Sequence, residues 1–164
     1  MDGAVKMRRF IVVTFTCSVG VFGATFLVAS SRAQAGQRQV THTCSVLDHQ
    51  FLNTVSSNMT QLTYWSDALV ANDVEPAVVV KQARAEARQV DATGPTDPTL
   101  EQTRGLLRSM FTAYARAIYA KTHGGNAGIP MRTAYMLANG VHDLLAEAQP
   151  DLAARGCDPA MLLR

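Results

Sequence analysis

No stretch of this chain alternates apolar and polar residues between hairpin turns, and no internal repeat or low-complexity tract runs through it. Sheet, sandwich and solenoid architectures are thereby disfavoured. Cysteine is scarce at three residues, too few for a disulfide-dense scaffold, and no two lie close enough in sequence for a zinc knuckle. The histidines at 42, 49, 123 and 142 never pair as H-x-x-x-H, and no Glu-x-x-His occurs, so each reads as an ordinary surface or helix-end residue. There is no G-x-S-x-G elbow for a serine nucleophile. The glycine-rich run HGGNAG follows a helical pattern, not a strand, and lacks the lysine of a phosphate-cradling loop.

What is present begins with a leader. Lys6, Arg8 and Arg9 form a basic start, Phe10 to Ala29 is mostly apolar, and Ala33-Gln34-Ala35 supplies the small-x-small pattern of a signal peptidase site. Residues 1–35 therefore read as a secretory signal peptide, with Met7 as an alternative start. The apolar run is also long enough for an uncleaved membrane anchor. The Ala-Gln-Ala site and the polar stretch behind it favour cleavage. The expected location is secreted or periplasmic, in the cell envelope, with membrane contact only if the leader is kept.

The leader holds four of the 15 basic residues and one of the 13 acidic ones, so 11 basic and 12 acidic residues remain from Gly36 onward. The apparent basicity belongs to targeting and gives no argument for a nucleic-acid partner. Cys17 departs with the leader. The remaining pair, Cys44 and Cys157, reads as a disulfide in an exported chain. Closing so long a loop stabilises a fold by up to about 4.7 kcal/mol on the chain-entropy argument.

Residues 36–43 carry no period and read as a loose N-terminal arm; residues 44–164 read as one helical domain. Leu52, Val55, Met59, Leu62, Trp65 and Leu69 recur at three- and four-residue steps, so they share one face of a first helix ending at Asn72-Asp73. A second helix from Pro76 buries Val79, Val80, Ala83, Ala87 and Val90, with Lys81, Arg84, Glu86 and Arg88 on its solvent side. A third spans about 99–122 behind the break ATGPTDPT. A fourth is expected from Pro130, with Gly140 at a close packing contact and Pro150 bending or ending it. The expected fold is all-α, an antiparallel four-helix bundle whose ends are clasped by one disulfide. In that topology Cys44 and Cys157 fall at the same end.

Candidate chemistry is sparse. Secreted chorismate mutases need inward arginine and lysine for a dicarboxylate, and Val40 to Val80 contains neither residue. No catalytic constellation is found, which points away from an enzyme and names no catalytic or metal-binding residue. Met59, Trp65, Met110, Tyr114, Met131 and Tyr135 are the candidate lining for a flat apolar ligand, with tyrosine able to ligate haem iron. Residues at such spacing are more often simple core. Arg84 and Arg88, like Arg104 and Arg108, stand four apart and form a candidate basic face for an anionic partner. A solvated face relieved by Glu86 and Glu101 is the plainer reading.

Cys44-Ser45, the run Thr54-Val55-Ser56-Ser57, and QPDLAARGC at 149–157 resemble the two ends of the mycobacterial haemophores, small exported helical proteins with a cysteine near each end. The resemblance implies an exported haem carrier and assigns no haem-contacting residue. The sequence thus supports an exported helical binding protein for haem or another small apolar ligand. The alternative is an interaction module that docks another envelope protein and holds no small ligand.

Overall fold

Ser45 starts the first helix by a reciprocal cap. The Asp48 N–H donates to the Ser45 hydroxyl at 3.1 Å, and the Ser45 N–H donates back to the Asp48 carboxylate at 2.9 Å. This opens α1 (Val46–Ala71) in a computed structural model that describes residues 43–163. The leader, and all of the N-terminal arm except Thr43, lie outside the described residues. α1 stops at Asn72, which turns left-handed at φ 62° while the Asp73 N–H donates to the Ala68 carbonyl at 2.9 Å.

Pro76 occupies the first position of α2 (Pro76–Ala92), where its missing N–H has no helical partner to lose. α3 (Pro98–Thr122) is capped by Asp97, whose side chain accepts from the N–H groups of Thr99 and Leu100 at 2.9 and 3.2 Å. α4 runs from Gly128 to Ala154 and is followed by a short 3-10 turn, Ala160–Leu162. No strand occurs among the described residues, and none of their helices is long and apolar enough to cross a membrane.

The four helices form the antiparallel bundle with α3 at its centre, packed against both α2 and α4. Two apolar clusters fill it. The larger draws on all four helices, through Phe51, Val90, Leu107, Phe111, Leu145 and Leu152, each at most 1 % exposed. Side chains of this size contribute about 1.5–3 kcal/mol each when fully buried. The smaller comprises Val79, Val80, Ala83, Ala115 and Ile118, with Trp65 and Leu69 of α1 packed on it. Among the described residues α4 adds nothing to this second cluster.

Cys44 and Cys157 are joined by a disulfide, their Cα atoms 5.2 Å apart, within the usual bridging range. Gly156, beside it, has φ 89°, a left-handed conformation that a side chain there would strain.

Three expectations are corrected, and the one at Pro150 is narrowed. α4 begins two residues before Pro130, which sits in the first turn, where a missing N–H costs nothing. Pro150 does not end α4, because Leu152 beyond it is fully buried and holds the last turn against the core. Gly140 is not a site of tight approach, since a Cβ there would meet only Leu106 Cδ1, at 4.0 Å. Glu86 does not share the solvent side of α2; it is 1 % exposed.

Candidate functional site

At the clasped end the polar groups are consumed by structure. Asp48 is buried, yet it accepts five hydrogen bonds, from the N–H groups of Ser45, Thr96 and Asp97 and the hydroxyls of Ser45 and Thr96. Burial pushes its carboxyl upward, but the donors of Asp97, Ser45 and Thr96 outweigh it and hold the group well below the usual carboxylate range. Asp97, also buried, pairs with the Arg155 guanidinium, and the Cys44 N–H donates to the Arg155 carbonyl at 2.9 Å. Donor atoms of Cys44, Asp48 and Cys157 lie within 4.8 Å of one another, a spacing that suits a metal. Both sulfurs are spent in the disulfide and the carboxylate is saturated by donors, so the group acts as a lock.

The opposite end is open. α4 does not pack on the second apolar cluster, and a groove of about 740 Å³ lies between the end of α1, the last turns of α3 and the start of α4. Leu69, Val70, Ile118 and Met131 give it apolar walls, and Tyr114 and Tyr135 supply its phenols. The volume falls within the range of about 300–1,000 Å³ usual for small-molecule sites. The Tyr114 oxygen lies 2.7 Å from the Ser66 hydroxyl, which itself donates to the Leu62 carbonyl at 2.7 Å. Ser66 has one proton to give, so Tyr114 is the donor of the pair. Tyr135 is 67 % exposed and has no hydrogen-bond partner among the described residues, so its phenol is the one available to a ligand. Val70, Ile129 and Met136 stand exposed around the same end.

The six candidate lining residues therefore do not converge. Tyr114, Met131 and Tyr135 share the open-end groove. Met59 and Met110 border a separate narrow cavity of about 190 Å³ beside Leu107 and Val141, in the larger core cluster. Trp65 packs on the smaller cluster and meets Tyr64 edge-to-face, ring centroids 5.1 Å apart.

The four candidate arginines also divide. Arg104 bonds Glu101 and the Asp91 carbonyl, and Arg108 pairs with the Asp91 carboxylate at 3.1 Å. Arg84 and Arg88 have no carboxylate partner among the described residues and line a second groove, between α2 and α3.

Two polar residues escaped the charge pattern. Glu86 of α2 and Asn58 of α1 are each 1 % exposed, and the Glu86 Oε2 and Asn58 Nδ2 atoms lack hydrogen-bond partners. The other Glu86 oxygen accepts from Gln82 at 2.6 Å, and Gln82 also donates to Gln61 across the α1–α2 interface. Burial pushes the Glu86 carboxyl up, against the opposing pull of the Gln82 hydrogen bond. The signal was positional: 58 and 86 fall three residues after the buried Val55 and Ala83. No family model, curated protein or solved structure matches this chain.

Proposed function

We propose that this chain is an exported, non-enzymatic helical binding protein that carries a small apolar or planar ligand, haem among them, in the groove at the open end of the bundle. The observation that carries this reading is the apolar groove left where α4 parts from the second cluster, with the unpartnered phenol of Tyr135 at its side. A tyrosine in such a setting can serve as an axial ligand to haem iron. The disulfide supports an oxidising compartment, in keeping with the leader.

The test is native mass spectrometry of the protein from its host's exported fraction, followed by haemin titration of the emptied protein. A mass excess lost on denaturation supports a carrier and names the ligand. Tyr135→Phe is expected to weaken haemin about tenfold, equivalent to about 1.4 kcal/mol. A bare mass together with featureless haemin spectra would sink the reading.

A second reading is a docking module for another envelope protein, with no small ligand. It is favoured by Val70, Ile129 and Met136, exposed at 83, 71 and 68 % around the same end. A bare mass with a protein partner retained by cross-linking, and lost on Ile129→Asp, would select it.

A further inference from the structure

The groove between α2 and α3 has a chemistry of its own. Lys81, Arg84 and Arg88 follow one another at steps of three and four, so they stand in a row on one side of α2, over about 10 Å at 1.5 Å per residue. Like charges so placed repel, and in an isolated helix each such pair costs a few tenths of a kcal/mol. None of the three is relieved by a carboxylate within 4.0 Å among the described residues, in contrast to Arg104 and Arg108. The groove's one carboxylate, Glu75, is not paired with any of them.

Opposite the row stands an aromatic pair that forms the second wall. The rings of Tyr119 and His123 stack at 3.9 Å with their planes 21° apart. His123 Nδ1 lies 2.9 Å from the Tyr119 carbonyl and 3.0 Å from the Thr122 hydroxyl. The carbonyl can only accept, so the Nδ1–H donates to it, which fixes the tautomer and the ring's orientation. Val80, 7 % exposed, gives the groove an apolar floor. The volume between row and wall is about 670 Å³.

From this arrangement we infer that the α2–α3 groove is a binding site for a small aromatic anion, a planar ring bearing a carboxylate or phosphate. The ring lies against the Tyr119–His123 pair, whose rings cover one face of each other and leave outer faces and edges for offset-stacked or edge-to-face contact. The anionic group is held by the Arg84 and Arg88 guanidinium groups, whose planar forks match carboxylate and phosphate oxygens, with Lys81 as a further point charge. A lipid headgroup would engage the cations without the ring wall. That difference separates a small ligand from a membrane surface. Pro76 and Thr122 border both grooves, but Lys81, Arg84, Arg88, Tyr119 and His123 line this one and not the open-end groove, so their variants test this site apart from the carrier reading.

The experiment is amide chemical-shift mapping on the purified protein with three probes: 1-naphthoate, the neutral 1-naphthalenemethanol and inorganic phosphate. Naphthoate should shift residues 81–88 and 119–123, with affinity falling as salt rises. Arg84→Gln with Arg88→Gln should weaken it at least about tenfold (about 1.4 kcal/mol). Arg104→Gln with Arg108→Gln should leave it unchanged, and Tyr119→Ala should weaken naphthoate but not phosphate. Helical circular dichroism checks that each variant stays folded. The inference is overturned if naphthalenemethanol or phosphate binds as tightly as naphthoate, or if the shifts fall on another face. It is overturned equally if the protein binds phosphatidylglycerol vesicles through these arginines and ignores naphthoate.

Discussion

At the clasped end a disulfide, three hydrogen bonds from Thr96 and Asp97 to Asp48 and the Arg155–Asp97 pair tie the starts of α1 and α3 to the end of α4. At the open end α2 and α3 share one cluster of five buried side chains with Trp65 and Leu69 of α1 packed on it, α4 takes no part in it among the described residues, and Val70, Ile129, Tyr135 and Met136 face solvent. The difference teaches where each kind of residue works. Specific polar bonds gather where the two ends of the chain meet, and apolar side chains stay exposed where the groove opens.

The strongest way to break the contrast is to remove the clasp. Cys44→Ala with Cys157→Ala should lose up to about 4.7 kcal/mol, read as a lower denaturant midpoint. Hydrogen exchange should quicken in the first turns of α1 and last turns of α4 well before it changes around Tyr114. Uniform quickening would mean that the two ends are not separate in stability. Next in size is a truncation on each side. Leu152→Ala should cost about 2–5 kcal/mol, whereas Tyr135→Ala should stay within about 0.5 kcal/mol. Thermal melts of the two variants side by side decide this.

Two carboxylates sharpen the comparison through pH. Asp48 is held below its ordinary value of 3.8, so the stability it supplies is complete above that pH and drains away as the pH falls below it. Asp48→Ala should remove that acid-limb slope and cost about 1–3 kcal/mol near neutrality, because buried N–H donors lose their acceptor. Glu86 is held above its ordinary value of 4.5, so the fold is most stable while it is protonated and weakens as the pH rises through the folded-state value. Glu86→Gln should flatten that second limb in a series of urea melts. The smallest effect expected is a gain: Gly140→Ala should stabilise by about 0.4–1 kcal/mol, since a Cβ there meets nothing closer than Leu106.

Much of this architecture is legible in the sequence. The three- and four-residue recurrence from Leu52 to Leu69 places α1, and the proline-rich break at 94–98 separates α2 from α3. An even cysteine pair joins what the bundle topology brings together. Other features were hidden because they depend on tertiary contacts. Pro150 looks like a terminator until Leu152 is seen to be buried past it. Glu86 looks like one more charge on a solvated face, although its register, three after Ala83 and four before Val90, already puts it inside. The site was legible only in pieces. Periodicity places a methionine or tyrosine on a face, but not which cavity that face borders, so Met59, Trp65 and Tyr135 could not be told apart. Nor could spacing alone say that Asp91 would reach Arg108 and leave Arg84 without a carboxylate.

Pro76 and Thr122 border both the open-end groove and the α2–α3 groove. Were both proposed sites filled, their ligands would share this partition, which gives one a route to act on the other. Whatever the first does to the Thr122 rotamer or to the entry of α2, the second meets as a changed wall, and reciprocity makes the effect equal in both directions. Any such coupling would run through those two residues. A bulkier side chain at position 122 is therefore the place to tune it without altering the lock at the far end.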